Sequence, residues 1–145
     1  MTARMIDVYN NYGLDQPEEL REKYHMNCAE VLLRTANAEY GLNLPEAAFD
    51  MMQGFGAGFN CGKTCGAFCG SLAALSAMFA EKRPSDQAKA KRAAKLLAEA
   101  FEKEFGSLDC EAIKEKYRDP VTKCNPVKER AWKVFTEVVA KVEAE

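Results

Sequence analysis

Six cysteines are the residues of this chain best suited to chemistry. Three of them, Cys61, Cys65 and Cys69, recur at four-residue intervals in GFGAGFNCGKTCGAFCGSLAALSAMFA, residues 54–80, and each is followed by a glycine. The other three are Cys28, Cys110 and Cys124. Thiolate is both the nucleophile and the metal ligand, so such a set suits redox chemistry or metal binding. The bland alternative is that cysteine here is a small buried hydrophobe. The spacing C-x3-C-x3-C is neither the usual zinc pattern nor the bacterial ferredoxin run. His25, the only histidine, stands three residues before Cys28 and offers a co-ligand. A partly exposed surface histidine is the plainer reading of it.

The elements that would position these residues read as helical throughout. Residues 3–11 form a short first helix. Pro17, Glu18 and Glu19 open a second that runs to Gly41. Leu20, Tyr24, Cys28, Val31 and Thr35 make its inner stripe. Pro45 opens a short helix over 45–53, and GFGAGF breaks regularity. Thr64 caps a helix to about Ala80. Ser85 caps another over 86–105, with Ala90, Ala94, Leu97, Phe101 and Phe105 inward. A short helix over 108–117 carries Cys110, and the loop RDPVTKCNP carries Cys124. Pro126 opens the last helix, with Val127, Ala131, Val134, Val138 and Val142 inward. The expectation is an all-α, single-domain bundle of about five to six helices over residues 1–145, with a buried Gly/Cys-rich central helix.

On that central helix, fours drift by only about 40° per step. Cys65 and Cys69 share one face, Gly66 and Gly70 the next, and Cys61 falls in the preceding loop. The glycine row lets another helix approach closely. Cys65 sits at a helix N-terminus, where free N–H groups and the dipole favour a thiolate, and Lys63 adds a positive charge. This thiol is expected to ionise more readily than a free one. Backbone N–H groups around Gly62 and Gly66 are placed to reach a bound anion or cluster.

A chain of 145 residues with 48% apolar and 29% charged residues has the makings of one soluble domain that needs no cross-links. Its formal net charge of -2 gives no case for nucleic acid. The first residues carry early charges and no apolar core, so no secretory signal is expected, and a cytoplasmic, reducing location follows as an expectation. Residues 64–80 carry no charge but only reach the lower limit for crossing a bilayer, so a buried helix is preferred to a membrane span.

The motif Cys65-Gly66-Ala67-Phe68-Cys69-Gly70 reads as CGAxxG. With Cys28 in NCAEVLL, Cys110 in FGSLDC and Cys124 in KCNPV, the chain resembles the redox-active family labelled C_GCAxxG_C_C over residues 27–131. That label writes the central element as GCA, whereas Cys-Gly-Ala stands here. The resemblance implies a redox role with Cys28, Cys65, Cys110 and Cys124 as the hallmark set and Cys61 and Cys69 as additions. A related domain occurs within some multihaem redox proteins of anaerobes, where an iron–sulfur cluster is implied. This chain has no C-x-x-C-H site for covalent haem.

Three accounts stay open. In the first, the four hallmark thiolates hold an iron–sulfur cluster for electron transfer, with Cys61 and Cys69 as additional ligands and Gly62, Lys63 and Gly66 as surroundings. In the second, no metal is bound and Cys65 is the attacking thiolate, with Cys61, Cys69 or Cys28 resolving. Helical neighbours four apart hold their Cβ atoms about 6 Å apart, which disfavours a Cys65–Cys69 bridge. In the third, zinc or buried thiols stabilise a helical adaptor. No acid–base pair stands out, so no reaction on a substrate is named. The redox donor and acceptor stay unnamed, and a homodimer is an open expectation.

Overall fold

The computed structural model describes residues 4–145, and residue 3, expected to open the first helix, lies outside the described residues. Eight α-helices are found among the described residues: α1 (Met5–Asn10), α2 (Glu18–Tyr24), α3 (Cys28–Tyr40), α4 (Glu46–Asp50), α5 (Gly66–Phe79), α6 (Ala88–Phe105), α7 (Cys110–Tyr117) and α8 (Asn125–Glu143). No named strand occurs among them, only isolated bridges pairing Thr64 with Asp109 and Asp119 with Lys123. The class is all-α, as expected. The count exceeds five to six partly because the long helix expected to run to Gly41 is two.

The break falls at His25–Asn27, where the backbone turns extended. Asn27 then caps α3, its side-chain oxygen accepting from the Glu30 N–H at 2.8 Å. Local capping outweighs the continuous apolar period here. Leu20 and Tyr24 therefore leave the core, while Val31 and Thr35 stay in it. Gly41 ends α3 in the left-handed conformation, as its position suggested.

The most apolar helix, α5, is buried along Gly66, Ala67, Phe68, Gly70, Ser71, Ala74, Leu75 and Phe79. It packs against α3, α6 and α8, and α6 packs against α8. Gly70 explains how closely α3 and α5 meet, because a Cβ built there would collide with the backbone of Ala29. One turn earlier, a Cβ at Gly66 would lie 2.8 Å from the Phe55 carbonyl oxygen and 3.3 Å from the Cys28 Cβ. The glycine row thus sets the start of α3 beside the start of α5.

Aromatic side chains carry the packing onward. Phe68 meets Phe101 at 5.3 Å between centroids, Phe101 meets Phe105 at 4.5 Å, and Phe105 meets Tyr117 at 5.4 Å. This chain of contacts ties α5 to α6 and α6 to α7. The inner face of α6 is Ala93, Leu97, Phe101 and Phe105, so Ala93 takes the buried position expected of Ala94. The inner face of α8 buries all five residues expected there, Val127, Ala131, Val134, Val138 and Val142. No helix among the described residues is long and apolar enough to cross a membrane.

Candidate functional site

Four helices begin at cysteines. Cys28 is the first residue of α3, and Cys110 is the first of α7. Cys65 and Cys124 occupy the capping positions of α5 and α8. Cys28 was expected mid-helix on an inward face and Cys124 in an open loop. The true boundaries place both at helix starts instead. Cys65 also takes the capping position expected of Thr64, whose backbone pairs with Asp109.

All four cysteines line one cavity of about 750 Å³. They come from distant parts of the sequence, and specific contacts bring them in. Asn27 holds the start of α3 by donating to the Met52 carbonyl at 3.1 Å. The backbone N–H of Cys65 donates to the Leu108 carbonyl at 2.7 Å, and that of Cys110 donates to the Lys63 carbonyl at 2.5 Å. These two bonds fasten the segment before α7 to the segment before α5. Gly58, at φ +61°, leaves room for the Cys110 Cβ, which would lie 2.8 Å from a Cβ placed there. On the other side, Arg34 bonds Glu30 at 2.8 Å and Glu46 at 2.6 Å, and Gln53 donates to Glu30 at 3.0 Å. Glu30, buried, therefore ties the first turn of α3 to α4 and the turn after it.

Cys61 and Cys69 do not line the cavity. Cys61 is exposed in the turn Gly58–Gly62, where its thiol contacts the Gly58 carbonyl at 3.5 Å. Cys69 lies one turn into α5, half-buried against the core. All six cysteines are free thiols. His25 is exposed and lines the cavity, its pKa lowered first by burial and then by Lys128. Gly66 lines the cavity, but the Gly62 N–H is already committed to the Ala57 carbonyl at 3.2 Å. The amides that reach the Cys65 sulfur belong instead to Ala67 and Phe68 in the first turn of α5.

The four thiols differ sharply in acidity. Burial pushes Cys65 up to about 12, against the N–H groups of Ala67 and Phe68, which favour its thiolate. The helix-end effect expected from the sequence operates, but desolvation is larger, so the expected easy ionisation of Cys65 does not hold. Cys110 is also raised, chiefly by burial. Cys124 moves the other way, to about 6. Donation from the neighbouring Cys28 thiol is the main cause, helped by the charges of Lys128, Arg118 and Lys114. Cys28 is held in the protonated form by the same pairing and by burial. The two form a thiol–thiolate pair in which Cys124 carries the negative charge.

Lys128 was not anticipated. It is only 2% exposed, lines the cavity, and has no ion-pair partner among the described residues. A buried lysine without a carboxylate is rare. The signal was available: Lys128 follows Cys124 by four residues, one turn along α8, and its N–H donates to the Cys124 carbonyl at 3.0 Å.

The all-α chain thus gathers four free thiols at four helix starts. Residues 26–138 match the model of the family described as "Putative redox-active protein (C_GCAxxG_C_C)", and the chain belongs to that family. The CGAxxG element, Cys28, Cys110 and Cys124 all lie within the match. No curated protein and no solved structure matches the chain. Family membership supports a redox role.

Proposed function

We propose that this chain is an electron-transfer protein whose Cys28, Cys65, Cys110 and Cys124 hold an iron–sulfur cluster. The observation that carries this reading is the lining of one cavity by four thiols from four separate helix starts. A dithiol centre needs two sulfurs; four cysteines are the usual ligand set of a cluster.

The donor set fits such a group in chemistry and charge. No three His, Cys, Asp or Glu side chains among the described residues are grouped to hold a single metal ion. Four cysteine thiolates are the usual ligands of a multi-iron cluster, and four line this cavity. Each helix start directs N–H groups toward negative charge, and Lys128, Arg118 and Lys114 already help to lower the pKa of Cys124. Those same charges favour ligation by thiolate. When bound, a cluster supplies one-electron transfer. The Ala67 and Phe68 amides, aimed at the Cys65 sulfur, are placed to raise its potential.

The test is iron and acid-labile sulfide on protein purified without oxygen, with a visible spectrum. Wild type should carry both, and serine at any of the four positions should lower both. Serine at Cys61 or Cys69 should leave both unchanged. Absence of iron and sulfide, persisting after reconstitution, ends this reading.

The Cys28–Cys124 pairing favours a second reading, a metal-free dithiol. The Cys124 thiolate attacks a disulfide substrate, forming a mixed disulfide and releasing one thiolate. Cys28 then gives up its proton and displaces the second, leaving a Cys28–Cys124 bridge and a reduced substrate. Oxidised protein should be lighter by two hydrogens with the bridge mapped to that pair. A protein that stays fully reduced under a disulfide challenge removes this reading.

A further inference from the structure

The cavity extends well beyond its thiols. Its volume of about 750 Å³ falls within the range of small-molecule sites, about 300–1,000 Å³. Five cationic side chains line it, Arg21, Lys114, Arg118, Lys123 and Lys128, against a single carboxylate, Glu22. None of the five has an ion-pair partner among the described residues. This excess sits on a chain of net charge -2, so it is local and not a trait of the whole surface. Lys114, Arg118 and Lys128 act on Cys124, whereas Arg21 and Lys123 are not among the groups that shift it.

The lining is also rich in amides. Asn10 is nine-tenths buried, and its side-chain oxygen, closed off from solvent, has no hydrogen-bond partner among the described residues. Asn27 and Gln53, by contrast, are engaged within the fold. Tyr12 and Leu14 add exposed apolar surface to the same lining.

We infer that this chamber binds a small carboxylate anion, held by Arg21, Lys123 and Lys128. Unpaired cations call for carboxylates, and the volume admits a molecule of two or three residues. Such a ligand would lie beside the cysteine centre, within reach of its thiols. The inference goes beyond the proposed electron-transfer role and does not depend on which redox chemistry the thiols perform.

The experiment titrates the full-length protein with S-methylglutathione by calorimetry at low salt, with and without prior iron–sulfur reconstitution. This tripeptide anion has carboxylates and amides but no free thiol to exchange with cysteine. Saturable binding at one site is expected, with affinity falling about tenfold for each charged contact removed. Arg21→Gln and Lys123→Gln alter exposed side chains, so the fold should survive both. The diester of the same tripeptide should bind much less. Absence of saturable binding, or equal binding of the diester, or unchanged affinity in the Arg21→Gln/Lys123→Gln double variant, overturns the inference. Iron content is read separately on the same samples, so loss of the cluster and loss of anion binding are distinguished.

Discussion

Gly70 of α5 stands against the main chain of Ala29 in α3, with no room for a side chain between them. Four residues earlier, a Cβ at Gly66 would meet the Phe55 carbonyl oxygen at 2.8 Å and lie 3.3 Å from the Cys28 Cβ. The spacing of α3 and α5, and hence of Cys28 and Cys65, is set by two missing methyl groups. Gly70→Ala should cost about 3 kcal/mol, the upper part of the range for overpacking. Urea denaturation measures it. A loss under about 1 kcal/mol would show that the two helices part easily.

In metal-free protein, Cys124 should be the first thiol alkylated. Its thiolate is half-formed near pH 6, so iodoacetamide labelling should rise through pH 5–7 and then level off. Cys65, near 12, should stay unlabelled at pH 8 in the folded state. Peptide mapping by mass spectrometry reads both. Preferential labelling of Cys65 would reverse the assignment of roles.

Replacing Lys128 by methionine separates electrostatics from packing. A buried charge exchanged for an apolar chain of similar length is often neutral or stabilising. Lys128→Met should therefore fold at least as stably as wild type. Without that charge the labelling midpoint of Cys124 should move upward. An unchanged midpoint would show that Cys28, Arg118 and Lys114 sustain the thiolate without it.

Cys65 also makes stability depend on pH. Its folded pKa is raised, so its contribution is fully present below the unfolded value near 9 and is lost as pH rises toward 12. Between pH 9 and 10 wild type should lose about 1 kcal/mol more than Cys65→Ala. Urea midpoints of the two proteins at pH 8 and pH 10 measure the difference. Parallel losses would mean that the buried thiol ionises without penalty.

Asn27→Ala should lose about 1–2 kcal/mol, because this side chain both caps α3 and donates to Met52. It should also loosen Cys28, so iron retention after reconstitution should fall along with thermal stability. Retention at the wild-type level would separate the cap from the centre.

Much of this site was legible before any coordinates. The glycine row reported a close helix contact, and the family resemblance named four cysteines that line one cavity. The all-α class followed from apolar spacing that holds along α6 and α8. What was not legible has physical causes. The break at Asn27 depends on a cap whose second hydrogen bond goes to Met52, a partner remote in sequence. The acidity of Cys65 turns on burial by elements that the local sequence does not name. Lys128 was not singled out, because only the arrival of α3 and α7 encloses the start of α8.

Each of the four sulfurs is bonded to the end of a different rod, and the rods lead away from a common hub. Drawing two of those sulfurs together, or releasing them, pulls on the ends of whole helices and not on slack loops. Under the proposed redox role, a change of oxidation state at these sulfurs would pull on the starts of α3, α5, α7 and α8.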